Sequence, residues 1–342
     1  MIVRARAPLR LGLAGGGTDI SPYSDIFGGA VLNATIDRYA YAVIRPLTGS
    51  DIRFVATDLN IDEIMAIADI DQVSCKLKLH QAVYLRVMRD FNAGEFLPME
   101  ISTFCEIPPG SGLGSSSTLV VAMIKGFVEY MNLPLDDYSI ARLAYEVERI
   151  DCGFGGGKQD QYSAAFGGFN YIEFYENERV IVSPLSIKNW IKCELESSFV
   201  LFYTGISRES AQIILDQSKT VFGDNKEALE AMHEIKKEAF SMKEAILRGD
   251  FLNLAESLRR GWESKKRSAN TISNQHINSI YDTAILNGAV AGKVSGAGGG
   301  GFMLFMVPPE NRINVISALK KFEGQVSNCH FTNEGCQAWK II

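Results

Sequence analysis

The chain has 342 residues, 46% of them hydrophobic, and a formal net charge of −6. That length suits two closely packed domains and a sizeable core. The acidic balance argues against nucleic acid as a partner, and no apolar run nears the ~20 residues that span a bilayer.

Arginines interrupt the alternating apolar pattern of MIVRARAPLRLGLAGG, so the N-terminus reads as a first strand rather than a signal peptide. Residues 1–60 read as strands, with Tyr39–Leu47 and Asp51–Leu59 flanking Thr48-Gly49-Ser50 as an expected hairpin. Cys75–Phe91 has helical spacing at Leu79, Val83, Val87 and Phe91, and Met99, Ile101, Phe104 and Ile107 mark a strand. An apolar helical pattern follows at Leu119, Val120, Met123, Ile124 and Phe127, then a helix over Asp137–Ile150. Asp151–Gly168 is rich in glycine, and Phe169–Phe174 reads as a strand.

The character changes near Ile187–Glu194. Phe199–Tyr203 reads as a strand, Asn225–Arg248 as a long amphipathic helix, and Phe251–Lys266 and His276–Asn287 as two more. Strands at Ala289–Val294 and Phe302–Val307, a helix at Ile313–Phe322 and a strand near Ala338–Ile342 complete an α+β pattern. Six cysteines (75, 105, 152, 193, 329 and 336) lack zinc or CxxC spacing and are expected to be reduced thiols of a cytoplasmic protein.

The stretch EIPPGSGLGSSSTLVVAM over Glu106–Met123 joins a strand to a helix through a glycine and serine turn. Glycines let backbone N–H groups turn toward one point, and a helix start adds its positive dipole end, which suits phosphate. No Lys follows the last Gly, so it is not a Walker A loop, and Ser117 stands where a dinucleotide fingerprint needs its third Gly. Two further clusters, Ala7–Asp19 and Lys293–Phe302, also lie between apolar runs.

In this order the three clusters resemble the signature motifs of the GHMP kinase superfamily, which includes galactokinase, homoserine, mevalonate and phosphomevalonate kinases. The resemblance runs from about residue 4 to about residue 306. It implies a ribosomal-protein-S5-like N-terminal domain (1–192), a ferredoxin-like C-terminal domain (193–342) and an active site between them. It implies ATP on Pro109-Gly110-Ser111-Gly112-Leu113-Gly114-Ser115-Ser116, with Gly296 and Gly298 of the third motif. Mg2+ would be held by Ser116 and Glu148; otherwise Ser116 is a first-turn serine and Glu148 a solvated charge. Asp160, in Gly155-Gly-Gly-Lys-Gln-Asp-Gln161, matches the family's catalytic base. Arg10 and Lys158 are expected near it, Arg10 having the alternative of bonding carbonyls in a crowded loop.

Gly16-Gly17-Thr18-Asp19 resembles the sugar-contacting end of motif one, although Asp19 also suits an N-cap. Glycines replace the Glu-His that precedes Thr-Asp in galactokinase, which puts galactose in doubt. Lys158-Gln-Asp-Gln points to the sugar 1-kinase branch, with Lys where fucokinase-like enzymes carry Trp. Together with Thr204–Ser210 it resembles the kinases of a phosphorylated heptose, whose product feeds nucleotide-activated heptose synthesis. Lys158 and Arg208 are then candidates for the acceptor's phosphate, Arg208 being equally readable as a surface arginine. A kinase of unphosphorylated fucose or galactose is the enzyme alternative. A silent sugar sensor is a third reading, but Asp160 and Ser116 are both present. The expected partners are ATP and a small sugar phosphate, with the chain a monomer or homodimer.

Overall fold

The computed structural model describes residues 1–206, 213–216 and 225–341; Arg208 lies outside them. In chain order the first elements are β1 (Ile2–Ala14), α1 (Tyr23–Phe27), β2 (Gly29–Pro46), β3 (Asp51–Ala56), β4 (Ile61–Ala66) and α2 (Lys78–Phe91). Next come β5 (Met99–Cys105), α3 (Ser115–Met131), α4 (Asp137–Glu146), α5 (Gln159–Phe166), β6 (Phe169–Phe174), β7 (Val180–Pro184) and α6 (Asn189–Ser198). The remainder are β8 (Phe199–Tyr203), α7 (Lys226–Arg248), α8 (Phe251–Ser268), α9 (Gln275–Leu286), β9 (Ala291–Val294), β10 (Phe302–Met306), α10 (Arg312–Leu319), β11 (Gln325–Asn328) and β12 (Gln337–Ile341).

Two sheets result. The first has the order β12-β1-β2-β5-β3-β4, with β6 and β7 continuing from the start of β2. The hairpin expected at Thr48-Gly49-Ser50 does not form. β5 pairs with β2 along Ala40–Pro46 and lies parallel to β3, so it takes the place between them. The true hairpin joins β3 to β4, across a turn where Asn60 takes a φ of 54°. The second sheet, β11-β8-β10-β9, is antiparallel throughout. Numbered by chain order its strands stand 4-1-3-2 with helices in the two crossovers, which is the ferredoxin-like arrangement.

Helices α2, α3 and α4 cover one face of the first sheet, burying Val83, Met123, Phe127 and Ile140 against Ile44, Phe54 and Ile101. Each large apolar side chain so buried contributes ~1.5–3 kcal/mol. A second core joins the two sheets: Leu9, Leu11 and Leu32 meet Met242 and Leu258 of α7 and α8, together with Leu201 and Leu304. A third packs α9 and α10 on the outer face of the second sheet, around Phe202, Phe305, Ile280 and Leu319. A division at residue 192/193 would pass through α6 and part β12 from β1, its partner in the first sheet. Among the described residues no helix is long and apolar enough to cross a membrane.

Candidate active site

The loop between β5 and α3 is built by glycine conformation. Gly110, Gly112 and Gly114 have φ of 72°, 82° and 78°, a region that costs other residues about 1 kcal/mol or more. The loop is clamped to the third glycine cluster. A Cβ on Gly112 would lie 2.5 Å from the Ser295 carbonyl oxygen, and one on Gly296 would lie 2.7 Å from the Gly112 carbonyl oxygen. Phe302 N donates to the Ser111 carbonyl at 2.8 Å, and Ser295 Oγ to the Gly112 carbonyl at 3.1 Å. Pro109, Gly110, Gly112, Gly114, Ser115, Ser116 and Gly296 line a cleft of about 430 Å³. Ser111 and Leu113 are instead buried anchors; the Leu113 carbonyl accepts from Arg10 N. Gly298 packs away from the cleft, against Ile272.

Asp160 faces this loop from the first turn of α5, a helix hidden within the glycine-rich stretch. A Cβ on Gly114 would lie 3.0 Å from its carboxyl carbon, so glycine keeps loop and carboxylate in close approach. Arg10 holds Asp160: Nε and Nη2 lie 2.8 and 2.6 Å from Oδ1, while Nη1 donates to the Gly112 carbonyl at 2.6 Å. Both readings of Arg10 are therefore true at once. The β1–β2 register shifts between Pro8 and Arg10; such a bulge re-aims a side chain.

Asp19 is not a helix cap. It accepts from Gly17 N at 3.1 Å and from Gln159 N at 3.0 Å, tying the first motif to the start of α5. Gly16, Gly17 and Asp19 line the cleft. Thr18 does not face it: its hydroxyl shares one proton between the Gly15 and Ala30 carbonyls, 2.8 and 2.9 Å away, and accepts from Ala30 N at 3.1 Å, which fixes the loop from behind.

After α4 the chain makes a π-helical turn over Val147–Asp151, a local widening common at functional sites. It brings Glu148, 0% exposed, onto Ser116, whose hydroxyl donates to Oε1 at 2.8 Å. Gln161 Nε2 donates to Oε2 at 2.6 Å and to Ser117 Oγ at 3.1 Å. Arg149 Nη1 lies 3.8 Å from Glu148 Oε1. A buried carboxylate beside a serine hydroxyl at the phosphate loop is an oxygen donor set that fits Mg2+, which takes few protein ligands and keeps water and phosphate oxygens.

Lys158 is not brought onto Asp160. Its amine ends 3.9 Å from Asp25 Oδ1 and 5.4 Å above the Tyr145 ring, because the N-terminal position of α5 points it away from the Asp160 side. Two lysines from the C-terminal half take that side instead. Lys265 of α8 lines the cleft, and burial pushes its amine down to about 8, against a raising effect of Asp19. Lys293 of β9 also lines it and donates to the Gly12 and Leu13 carbonyls at 2.8 and 3.3 Å; burial lowers its amine well below the ordinary lysine range. Lys293 opens the third glycine cluster, but nothing in the local sequence marks Lys265. Gln161 likewise stands out in the sequence only as part of the Lys158-Gln-Asp-Gln run.

Phosphoryl transfer asks little covalent chemistry of a protein: phosphates must be cradled and the acceptor hydroxyl held in line beside a carboxylate. A two-sheet α+β fold that clamps three glycine loops around Asp160 defines a phosphotransferase. The chain belongs to the GHMP kinase family: residues 78–168 match the GHMP kinases N terminal domain and residues 242–324 the C terminal domain. It is 49% identical over 339 residues to the D-glycero-alpha-D-manno-heptose 7-phosphate kinase of Campylobacter jejuni, covering 99% of each chain. It is 27% identical over 333 residues to the L-fucokinase/L-fucose-1-P guanylyltransferase of Bacteroides fragilis, covering 90% of this chain and 34% of that protein. Among solved structures, a D-glycero-D-manno-heptose 1-phosphate kinase from Bacteroides thetaiotaomicron superposes with a TM-score of 0.84 at 44% identity over 99% of both chains.

Proposed function

We propose that this enzyme transfers the γ-phosphate of ATP to the anomeric hydroxyl of D-glycero-α-D-manno-heptose 7-phosphate, giving the 1,7-bisphosphate. The observation that carries this reading is near-half identity along the whole chain to a heptose 7-phosphate kinase, with Asp160 and Arg10 paired opposite the phosphate loop. The loop amides around Gly110, Gly112 and Gly114 and the start of α3 receive the ATP phosphates. Asp160 takes the proton of the acceptor hydroxyl as that oxygen bonds to the γ-phosphorus and ADP departs. Arg10, anchored to both Asp160 and the Gly112 carbonyl, keeps base and loop in register. An anomeric hydroxyl is more acidic than an ordinary alcohol, which suits a carboxylate base.

Ser116 and Glu148 would hold Mg2+, which when bound neutralises charge on the ATP phosphates. Gln161 orients the Glu148 carboxylate from the other side. Asp19, fixed by two backbone amides, faces the cleft as the acceptor for sugar hydroxyls.

An ADP-release screen with purified protein, ATP, Mg2+ and a panel of sugars and sugar phosphates tests the assignment. The expected result is the highest kcat/KM with heptose 7-phosphate. Preference for unphosphorylated fucose or galactose would overturn it.

A further inference from the structure

Lys265 belongs to none of the three glycine motifs, yet it stands between two of them. Its Nζ donates to the Gly296 carbonyl at 2.6 Å, and a Cβ on Gly16 would lie 3.6 Å from the same nitrogen. The residue is 4% exposed and lines the cleft. An ammonium carries three donors, and among the described residues the Gly296 carbonyl is the one partner it bonds. No carboxylate of the described residues lies within ion-pair distance of it. A buried cation so sparsely partnered is costly, unless a ligand completes its shell.

We propose that Lys265 is an acceptor-binding residue, its remaining N–H donors meeting oxygens of the sugar phosphate between Asp19 and Asp160. This rests on the kinase reading above but not on the identity of the sugar. The charged and titratable groups facing the amine are Arg10 from β1, Asp19 from the loop after it, Asp160 from α5 and the buried amine of Lys293 from β9. Burial moves the Lys265 amine to about 8, so it is charged at neutral pH and loses its proton as pH rises through that value. The sugar then loses a charged donor, so acceptor binding weakens above about pH 8.

The test compares wild type with Lys265→Met and Lys265→Arg. Calorimetric titration of heptose 7-phosphate without ATP should show binding weakened about 10- to 150-fold in Lys265→Met, the range of a charge-assisted contact. Nucleotide binding should stay within about twofold. Replacing the buried ammonium by an apolar chain of similar length removes a desolvation cost but leaves the Gly296 carbonyl without its donor, so thermal stability should change little, which separates a binding loss from misfolding. In wild type, kcat/KM for the sugar should fall above about pH 8; Lys265→Arg, charged throughout, should lack that limb. Unchanged sugar affinity in Lys265→Met, or equal losses for sugar and nucleotide, would overturn the inference. If wild type turns over a different sugar better, the heptose assignment falls, and the same comparison on that sugar decides Lys265 separately.

Discussion

Replacing Asp160 with Asn removes charge from the site while nearly preserving shape. The amide oxygen can still accept from Arg10, which approaches Oδ1 with two nitrogens at 2.8 and 2.6 Å. What disappears is the carboxylate proposed to take the acceptor's proton, together with the counter-charge of Arg10, a residue 5% exposed. The first loss lowers turnover by ~10²–10⁴, the usual range for a positioned base. The second weakens a charge-assisted contact of ~1.5–3 kcal/mol to an ordinary one of ~1 kcal/mol, so stability should fall by about 1 kcal/mol. Because Arg10 also bonds the Gly112 carbonyl, the phosphate loop should keep its place and nucleotide affinity should change by less than about threefold. Stopped assays at saturating ATP and sugar give kcat, fluorescence titration gives nucleotide affinity, and thermal unfolding gives stability. If Asp160→Asn kept more than a tenth of wild-type kcat, the role given to this carboxylate would be wrong.

Ser116→Ala and Glu148→Gln should each raise the Mg2+ concentration needed for half-maximal rate, since each deletes a proposed oxygen ligand. Glu148→Gln also sets an amide against Gln161 Nε2, and an unchanged Mg2+ midpoint in both variants would exclude this pair as the metal site. Gly157→Ala would put a methyl 1.9 Å from Asp19 Oδ2; driving that carboxylate aside should raise the sugar KM, by as much as ~10²-fold, with the ATP KM nearly unaltered. An unchanged sugar KM would remove Asp19 from the acceptor site. All six cysteines should titrate as thiols in denatured, unreduced protein, and in the native protein the exposed Cys193 should react first, because burial pushes Cys75 and Cys105 up to about 11 and Cys336 to about 12. Fewer than six thiols would refute this.

What could be read from the sequence was what local chemistry forces. Gly112 and Gly296 face each other's backbones at distances no side chain tolerates, so the glycine clusters announce themselves wherever they fall. The amphipathic α7 and α8 bury one stripe each, at Met232, Ile235 and Met242 and at Leu254 and Leu258, and their periodicity is plain. Elements set by distant partners were hidden. The first hairpin is misplaced in the sequence reading because β5, which begins only at Met99, claims the edge of β2. Helix α5 was missed because Gln159, Gln161, Tyr162, Ser163, Ala164 and Ala165 are all buried, leaving no polar face to set a period. Lys265 sits in the basic run Lys265-Lys266-Arg267, which reads as ordinary charge at a helix C-terminus. Its burial comes from the third glycine loop, contributed by a part of the chain that no helical period can see.

Those buried cations explain how a chain of net charge −6 handles two anionic substrates. At physiological salt the field of surface carboxylates is damped over ~8 Å, so it does little to repel an approaching phosphate. Inside the cleft the same charges act through a poorer dielectric, and each cation counts for more. Arg10, Lys265 and Lys293 converge there from β1, α8 and β9, all nearly out of contact with solvent. Lys293 spends two of its three donors on the Gly12 and Leu13 carbonyls, and Arg10 donates to Asp160 and the phosphate loop. Both thereby stiffen the walls. Lys265, bonded to a single carbonyl, keeps the largest share of its donors uncommitted to described residues, which places the division of labour between scaffold and ligand at that side chain.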